Sequence, residues 1–282
     1  MFFDTTIDTD LGYAASAFHW SIGSDAGPHI ISELQWKKLH GPYGRFLARA
    51  EWNDLLFAFI ELEGMWATSG YVTDSDFEKE GRNGMSERSI CKASGSKEGS
   101  IRGGIGASLY FYHRTLKFDF SCGYRFAAQW LKMHTGEVIE SIYSELGPIA
   151  GLSNRYNAYW KGFDTDFTLT RREGPISAFL NLNFFFPFYS AEGHWNLRTD
   201  FLDPFEQTAS DAFGVTVRAG LLYYFDCWSL GLTYQCQYFS AYHGKDKWSA
   251  LDGFGNITTG AGRLNEAILT TSSYTIRVGF VF

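Results

Sequence analysis

The sequence predicts an all-β protein: a ten-stranded antiparallel transmembrane β-barrel of the outer-membrane type, one domain over residues 1–282. Three observations carry this. Apolar side chains recur at every second residue, not at the period of about 3.6 that marks a helix. The longest clean apolar run, Leu55–Ile60, is far short of the roughly 18 residues a membrane helix needs. And the links between the predicted strands alternate between short and long, as in outer-membrane barrels.

The strands are expected at 7–20, 29–52, 55–69, 101–113, 116–131, 156–170, 176–190, 211–225, 228–241 and 272–282. The alternation is cleanest late in the chain. Phe213, Val215, Val217, Ala219, Leu221, Tyr223 and Phe225 form one face, against Gly214, Thr216, Arg218 and Gly220. Trp228 to Tyr238 repeats it, as do Leu116 to Phe126 and Tyr274 to Phe282. A strand of this kind has one apolar and one polar face. In a soluble sandwich the apolar face would point inward; in a membrane barrel it meets lipid. The aromatic content, 18% of residues, suits interfacial girdles. The polar faces are small and carry single charges, which suits a crowded lumen. Arg125, Arg218, Arg277 and Asp119 are expected to pair there.

Tight turns are expected at Asn53-Asp54, His113-Arg114-Thr115, Arg171 to Pro175 and Asp226-Cys227, and long extracellular loops at 21–28, 70–100, 132–155, 191–210 and 242–271. The strand at 29–52 contains Pro42 and is expected to carry a bulge. Ten strands enclose a narrow lumen, since open channels appear at about sixteen. A general porin is therefore disfavoured, and function is expected at the rim. Four cysteines, 91, 122, 227 and 236, show no metal spacing and are expected as free thiols. The net charge of -7 argues against a nucleic-acid partner. The N-terminus shows no signal-peptide pattern, so an exported protein would have lost its leader. Outer-membrane lipids are the expected surroundings and a monomer the expected state.

Two rim motifs can do chemistry. Asp74-Ser75-Asp76 follows the third strand, and residues two apart on a strand point the same way. Close carboxylates repel, one keeps a proton, and such a pair can bind and deprotonate a water. The same D-x-D spacing recurs at Asp8-Asp10 and Asp164-Asp166. Glu192-Gly193-His194 follows the seventh strand, nearly opposite in a ten-stranded ring. A carboxylate there could orient the imidazole as a general base.

With these motifs in place, the chain resembles the omptin family of outer-membrane endopeptidases over nearly its whole length. Ile31-Ser-Glu-Leu-Gln-Trp-Lys37 is similar to the family's V-S-x-L-x-W-K, Val72-Thr-Asp-Ser-Asp-Phe77 to its V-D-x-D-W, and Glu192-Gly-His194 to its D-x-H. Phe213 to Gly220 is similar to a Y-x-V-x-V-x-A-G strand. The resemblance implies a water activated between Asp74 and Asp76 on one side and a Glu192–His194 dyad on the other. It attacks a peptide bond without an acyl-enzyme. It also implies an outward-facing site and no metal or other cofactor.

Three features depart from the family. Glu192 stands where the family has Asp, and a misplacement of about an ångström can cost about 10²-fold in rate. Ser190 and Phe18-His19 stand where the family has acids that select basic substrates. The lipopolysaccharide pattern Tyr-x-Glu-x-Arg reads Tyr124-Arg125-Phe126-Ala127-Ala128, so lipopolysaccharide activation is not carried over with it. The alternative function is an omptin-like barrel that has lost activity and serves as an adhesin or surface-binding protein. A small pore comes third.

Overall fold

The computed structural model describes residues 3–24, 29–198, 201–251 and 256–282. Parts of three expected loops, at 25–28, 199–200 and 252–255, lie outside the described residues. Thirteen strand segments form one antiparallel sheet that closes on itself. They are β1 (Phe3–Gly23), β2 (Ser32–Trp52), β3 (Leu56–Trp66), β4 (Ser69–Lys79), β5 (Asn83–Lys92), β6 (Lys97–Phe111), β7 (Leu116–Ser141), β8 (Gly147–Glu173), β9 (Ile176–His194), β10 (Phe201–Ala209), β11 (Asp211–Phe225), β12 (Trp228–Leu251) and β13 (Ile257–Val281).

The ring has ten strands at every height. In its lower half the order is β1-β2-β3-β6-β7-β8-β9-β11-β12-β13, and β13 returns to β1. In its upper half β4 and β5 replace β3 and β6, and β10 replaces β11. Each replacement is the same strand resumed after a short break, at residues 67–68, 93–96 and 210. The first two breaks brace each other: Ala67 N–H donates to Ser96 O (2.9 Å) and Gly95 N–H to Ala67 O (2.7 Å). β2 matches this seam with a register shift between Lys37 and His40, and Lys38 sits at φ 52°. That is the bulge expected near Pro42. Gly41 faces the same seam; a Cβ there would lie 1.8 Å from Trp66 O.

The long links are therefore mostly strand, where loops were expected. Residues 69–79, 83–92, 132–141, 147–155, 201–209 and 242–251 carry the barrel upward beyond its lipid-facing band. Their apolar alternation fades because their outer faces are not lipid-facing, so the period-two signal is lost although the ladder continues. The tight turns fall at the opposite, lower end. Asn53 and Asp54 have φ of 50° and 56°, the mirror-image geometry that suits two-residue hairpins. Phe282 closes the ring by exchanging two backbone hydrogen bonds with Thr5, at 3.0 and 3.1 Å.

The outer band is apolar and exposed, with Ile105, Phe163 and Leu232 about 70% accessible, as a lipid-facing surface requires. The lumen behind it is filled with ion pairs. Asp10 accepts from Arg277 (2.7 Å) and Arg45 (2.8 Å), and Arg45 also reaches Glu61. Asp164 pairs with Arg102 (3.1 Å) and Arg125 (3.3 Å), and Asp119 with Arg49 (2.8 Å). Asp8-Asp10 and Asp164-Asp166 are thus lumen carboxylates. Above them Trp36, Trp160, Tyr156, Tyr189, Phe185 and Phe239 are fully buried and pack across the interior. All four cysteines are free thiols.

Candidate functional site at the upper cleft

A cleft of about 470 Å³ opens above the aromatic layer. Its walls come from strands on every side: Trp20 from β1, Leu34 from β2, Asp74 and Asp76 from β4, Gly193 from β9, Phe205 from β10 and Asp246 and Trp248 from β12. Trp195 and Arg198, between β9 and β10, and Asp203 on β10 complete the rim.

The Asp pair sits where the sequence places it. Asp74 lies opposite Leu34 and Ser89, and Asp76 opposite Ser32 and Glu87. Both point into the cleft, while Thr73, Ser75 and Phe77 line a separate pocket on the outer surface. Burial pushes the Asp74 carboxyl well above the usual carboxylate range, and the charges of Asp76 and Glu87 add to this. Asp76 is also raised, chiefly by burial and then by Glu87, against a hydrogen bond from Ser32. Arg198 pulls both down. Beside them the Cys91 thiol is pushed up to about 11, mainly by burial, which keeps it protonated and unreactive.

The Glu192–His194 pair does not join them. On β9 the odd residues Phe185, Tyr189, Ala191 and Gly193 are buried within the barrel, and Phe186, Phe188 and Glu192 are exposed outside. Glu192 is exposed on the outer face of β9, and His194, half-buried at the end of that strand, sits at the rim and is not part of the cleft lining. Glu192 stands opposite Asn157 and Glu206. His194 takes Asp203, not Glu192, as its partner, with Nδ1 2.9 Å from Oδ2. No histidine lines the cleft among the described residues. The expected four-residue constellation is therefore split, with the Asp pair in the cleft and Glu192 and His194 outside its lining. The physical reason lies in Phe184-Phe185-Phe186-Pro187-Phe188, which is apolar on both faces, so alternation there does not reveal which residues point inward.

What faces the Asp pair across the cleft is an aromatic wall built over Gly193. Phe205 and Trp195 pack edge to face (4.8 Å between centroids), and Phe205 meets Trp20 (6.1 Å) and Tyr156 (6.2 Å). A Cβ on Gly193 would lie 2.0 Å from the Phe205 ring and 2.6 Å from the Trp195 ring. Asp246, 3% exposed, was not singled out by any sequence motif. Its one signal is its place on the inward face of the continued β12 strand, flanked by Gly244 and Trp248.

A ten-stranded barrel with an apolar belt, a lumen closed by ion pairs and a cleft at one end is an outer-membrane β-barrel protein. The chain belongs to the Protochlamydia outer membrane protein family, whose model matches residues 8–282. Among solved structures, the outer-membrane protease OmpT from Escherichia coli superposes with a TM-score of 0.82 at 12% identity, covering 100% of this chain and 99% of that one. The omptin-like shape anticipated from the sequence is thus present in the fold. The translocator domain of the autotransporter NalP from Neisseria meningitidis gives a TM-score of 0.39 at 11% identity, covering 99% and 88%. The toluene transporter TodX of Pseudomonas putida gives 0.34 at 10%, covering 98% and 89%. No curated protein matches the sequence.

Proposed function

We propose that this barrel is a surface-binding protein whose cleft, facing the cell exterior, captures a cationic segment of an extracellular peptide or protein, and that omptin-type hydrolysis has been lost. The observation that carries this reading is the placement of Gly193, Phe205 and Trp195 opposite Asp74 and Asp76, where a base would have to stand. Aromatic faces attract cations by about 0.5–2 kcal/mol each, more when water is excluded. Carboxylates supply the complementary charge. The carboxyl groups of Asp74, Asp76, Asp203 and Asp246 outnumber the guanidinium of Arg198 among the described wall residues, so the cleft offers a cation more acceptors than competing positive charge even with one proton held by the Asp pair. The ion-pair-filled lumen supports a role at the rim and opposes a pore.

A second reading keeps peptide hydrolysis. Asp74 and Asp76 are adjacent, inward-facing and raised together, the condition under which two carboxylates share a proton and hold a water. One experiment separates the two. Purified barrel in detergent is mixed with libraries of basic and acidic peptides, and both binding and cleavage are followed. The binding reading expects retention of basic peptides without new termini, roughly tenfold weaker retention in Asp76→Asn, and no change in Glu192→Gln or His194→Ala. Cleavage abolished by Asp76→Asn supports the hydrolytic reading instead. Cleavage abolished by His194→Ala would restore the dyad. Retention of no peptide would overturn the binding reading.

A further inference from the structure

Asp246 is held by a buried polar chain that the Asp pair does not touch. The Tyr189 and Tyr156 hydroxyls lie 2.6 Å apart. Tyr156 donates to Gln207 Oε1 (2.5 Å), and Gln207 Nε2 donates to Asp246 Oδ1 (2.9 Å). With its one proton given to Gln207, Tyr156 accepts from Tyr189, so the chain runs in one direction. Gln207 and both tyrosines are fully buried, and turning the amide would set its carbonyl against the carboxylate. The chain therefore orients Asp246 and takes up hydrogen-bonding capacity at Oδ1, leaving Oδ2 the stronger acceptor. A guanidinium binds a carboxylate best through two parallel N–H bonds to both oxygens; a primary ammonium needs one oxygen and is a compact point charge. A second observation points to a ligand at the same wall. Trp20 is 3% exposed and lines the cleft, and its indole Nε1 has no hydrogen-bond partner among the described residues. A carbonyl oxygen would satisfy it.

Resting on the binding reading above, we propose that the cationic group is a lysine-type primary ammonium seated at Asp246 Oδ2, with a ligand carbonyl accepting from Trp20. The Tyr189–Tyr156–Gln207 chain then sets the preference of ammonium over guanidinium. Gln207 is a positioning residue and Asp246 the specificity-determining one.

The test uses the full barrel in detergent micelles and two peptides that differ only in one central Lys or Arg, titrated calorimetrically. The Lys peptide is expected to bind roughly tenfold more tightly. Asp246→Asn should weaken the Lys peptide and remove the difference. Gln207→Met, which frees Oδ1, should shrink the Lys-over-Arg preference from roughly tenfold to within about twofold. Gln207→Leu, which likewise removes the donor to Oδ1, gives the same readout should Gln207→Met fail the heat-shift gel that reports folded barrel. Equal or tighter binding of Arg by the wild type overturns the assignment. So does unchanged Lys binding in Asp246→Asn when Asp76→Asn abolishes it; in that case the cationic cleft stands and only the seat is wrong. Binding of neither peptide by the wild type overturns both.

Discussion

Gly193→Ala is the sharpest perturbation available at the cleft. The added Cβ would stand 2.0 Å from Phe205 Cε1, 2.1 Å from its Cζ and 2.6 Å from Trp195 Cζ3, where ordinary contact begins near 3.4 Å. The Phe205 ring must retreat by about 1.4 Å. It cannot do so freely, because Trp20, Tyr156 and Trp195 already pack against it. Overpacking of this kind costs about 1–3 kcal/mol. The barrel survives that cost, since the ladder, the lumen ion pairs and the lipid belt are untouched. A ligand that fits the wild-type wall must work against this strain to restore it, because the aromatic wall is the surface that moves. An effect of that size corresponds to an affinity loss of about five- to 150-fold. Titration of a basic peptide against the variant, with heat-modifiable migration as the check on folding, measures it directly. If Gly193→Ala folds and binds as tightly as the wild type, the wall over Gly193 is not the recognition surface and the reasoning fails.

Asp246 and the lumen give two further expectations. The Asp246 carboxyl is raised from 3.8 to about 6, mainly by burial and against the hydrogen bond from Gln207. Ionising it opposes folding, so its burden is absent below pH 3.8, grows up to about pH 6 and is constant above. Asp246→Asn should therefore gain stability over the wild type across that interval, by an amount on the order of 3 kcal/mol at neutral pH; a denaturant midpoint difference that does not change with pH would contradict this. In the lumen, Asp10→Asn leaves Arg45 and Arg277 facing one another with half their acceptor removed. Breaking a buried pair typically costs about 3–5 kcal/mol, and an unaltered urea midpoint would show that the ion-pair plug does not hold the barrel shut.

The membrane half of the fold was legible because lipid on one side and a packed lumen on the other enforce strict alternation. Leu116 to Phe126 and Trp228 to Tyr238 can be read in one register only. The upper half was not. Beyond the belt the outer faces are no longer lipid-facing and the inward faces mix apolar side chains such as Val72 and Ala209 with polar ones such as Ser89 and Gln207, so β4, β5 and β10 look like loops in one dimension. The site divided along the same line. Asp74 and Asp76 stand six and eight residues beyond the break at residues 67–68 and share an inward face with the buried Val72. Glu192 and His194 follow five consecutive residues, Phe184 to Phe188, that are apolar throughout, and nothing in that run tells inside from outside. Asp246 was missed for another reason. Its environment is made by Gln207, Tyr156 and Tyr189, which lie 39, 90 and 57 residues away in the chain and meet only in three dimensions.

The interrupted strands have a consequence for how such a protein changes over time. The Asp pair stands on β4, above the braced breaks at residues 67–68 and 93–96, and the aromatic wall stands on β10, above the break at residue 210. These two stretches of the cleft wall, unlike those on the uninterrupted β1, β2, β9 and β12, are each joined through a break to a barrel that has already closed beneath them. A residue gained or lost at a break is absorbed there and does not invert the lipid-facing and lumen-facing rows below. The barrel can keep its outline while its two lips are rewritten independently. Selection on what the lips hold need not renegotiate how the protein sits in the membrane.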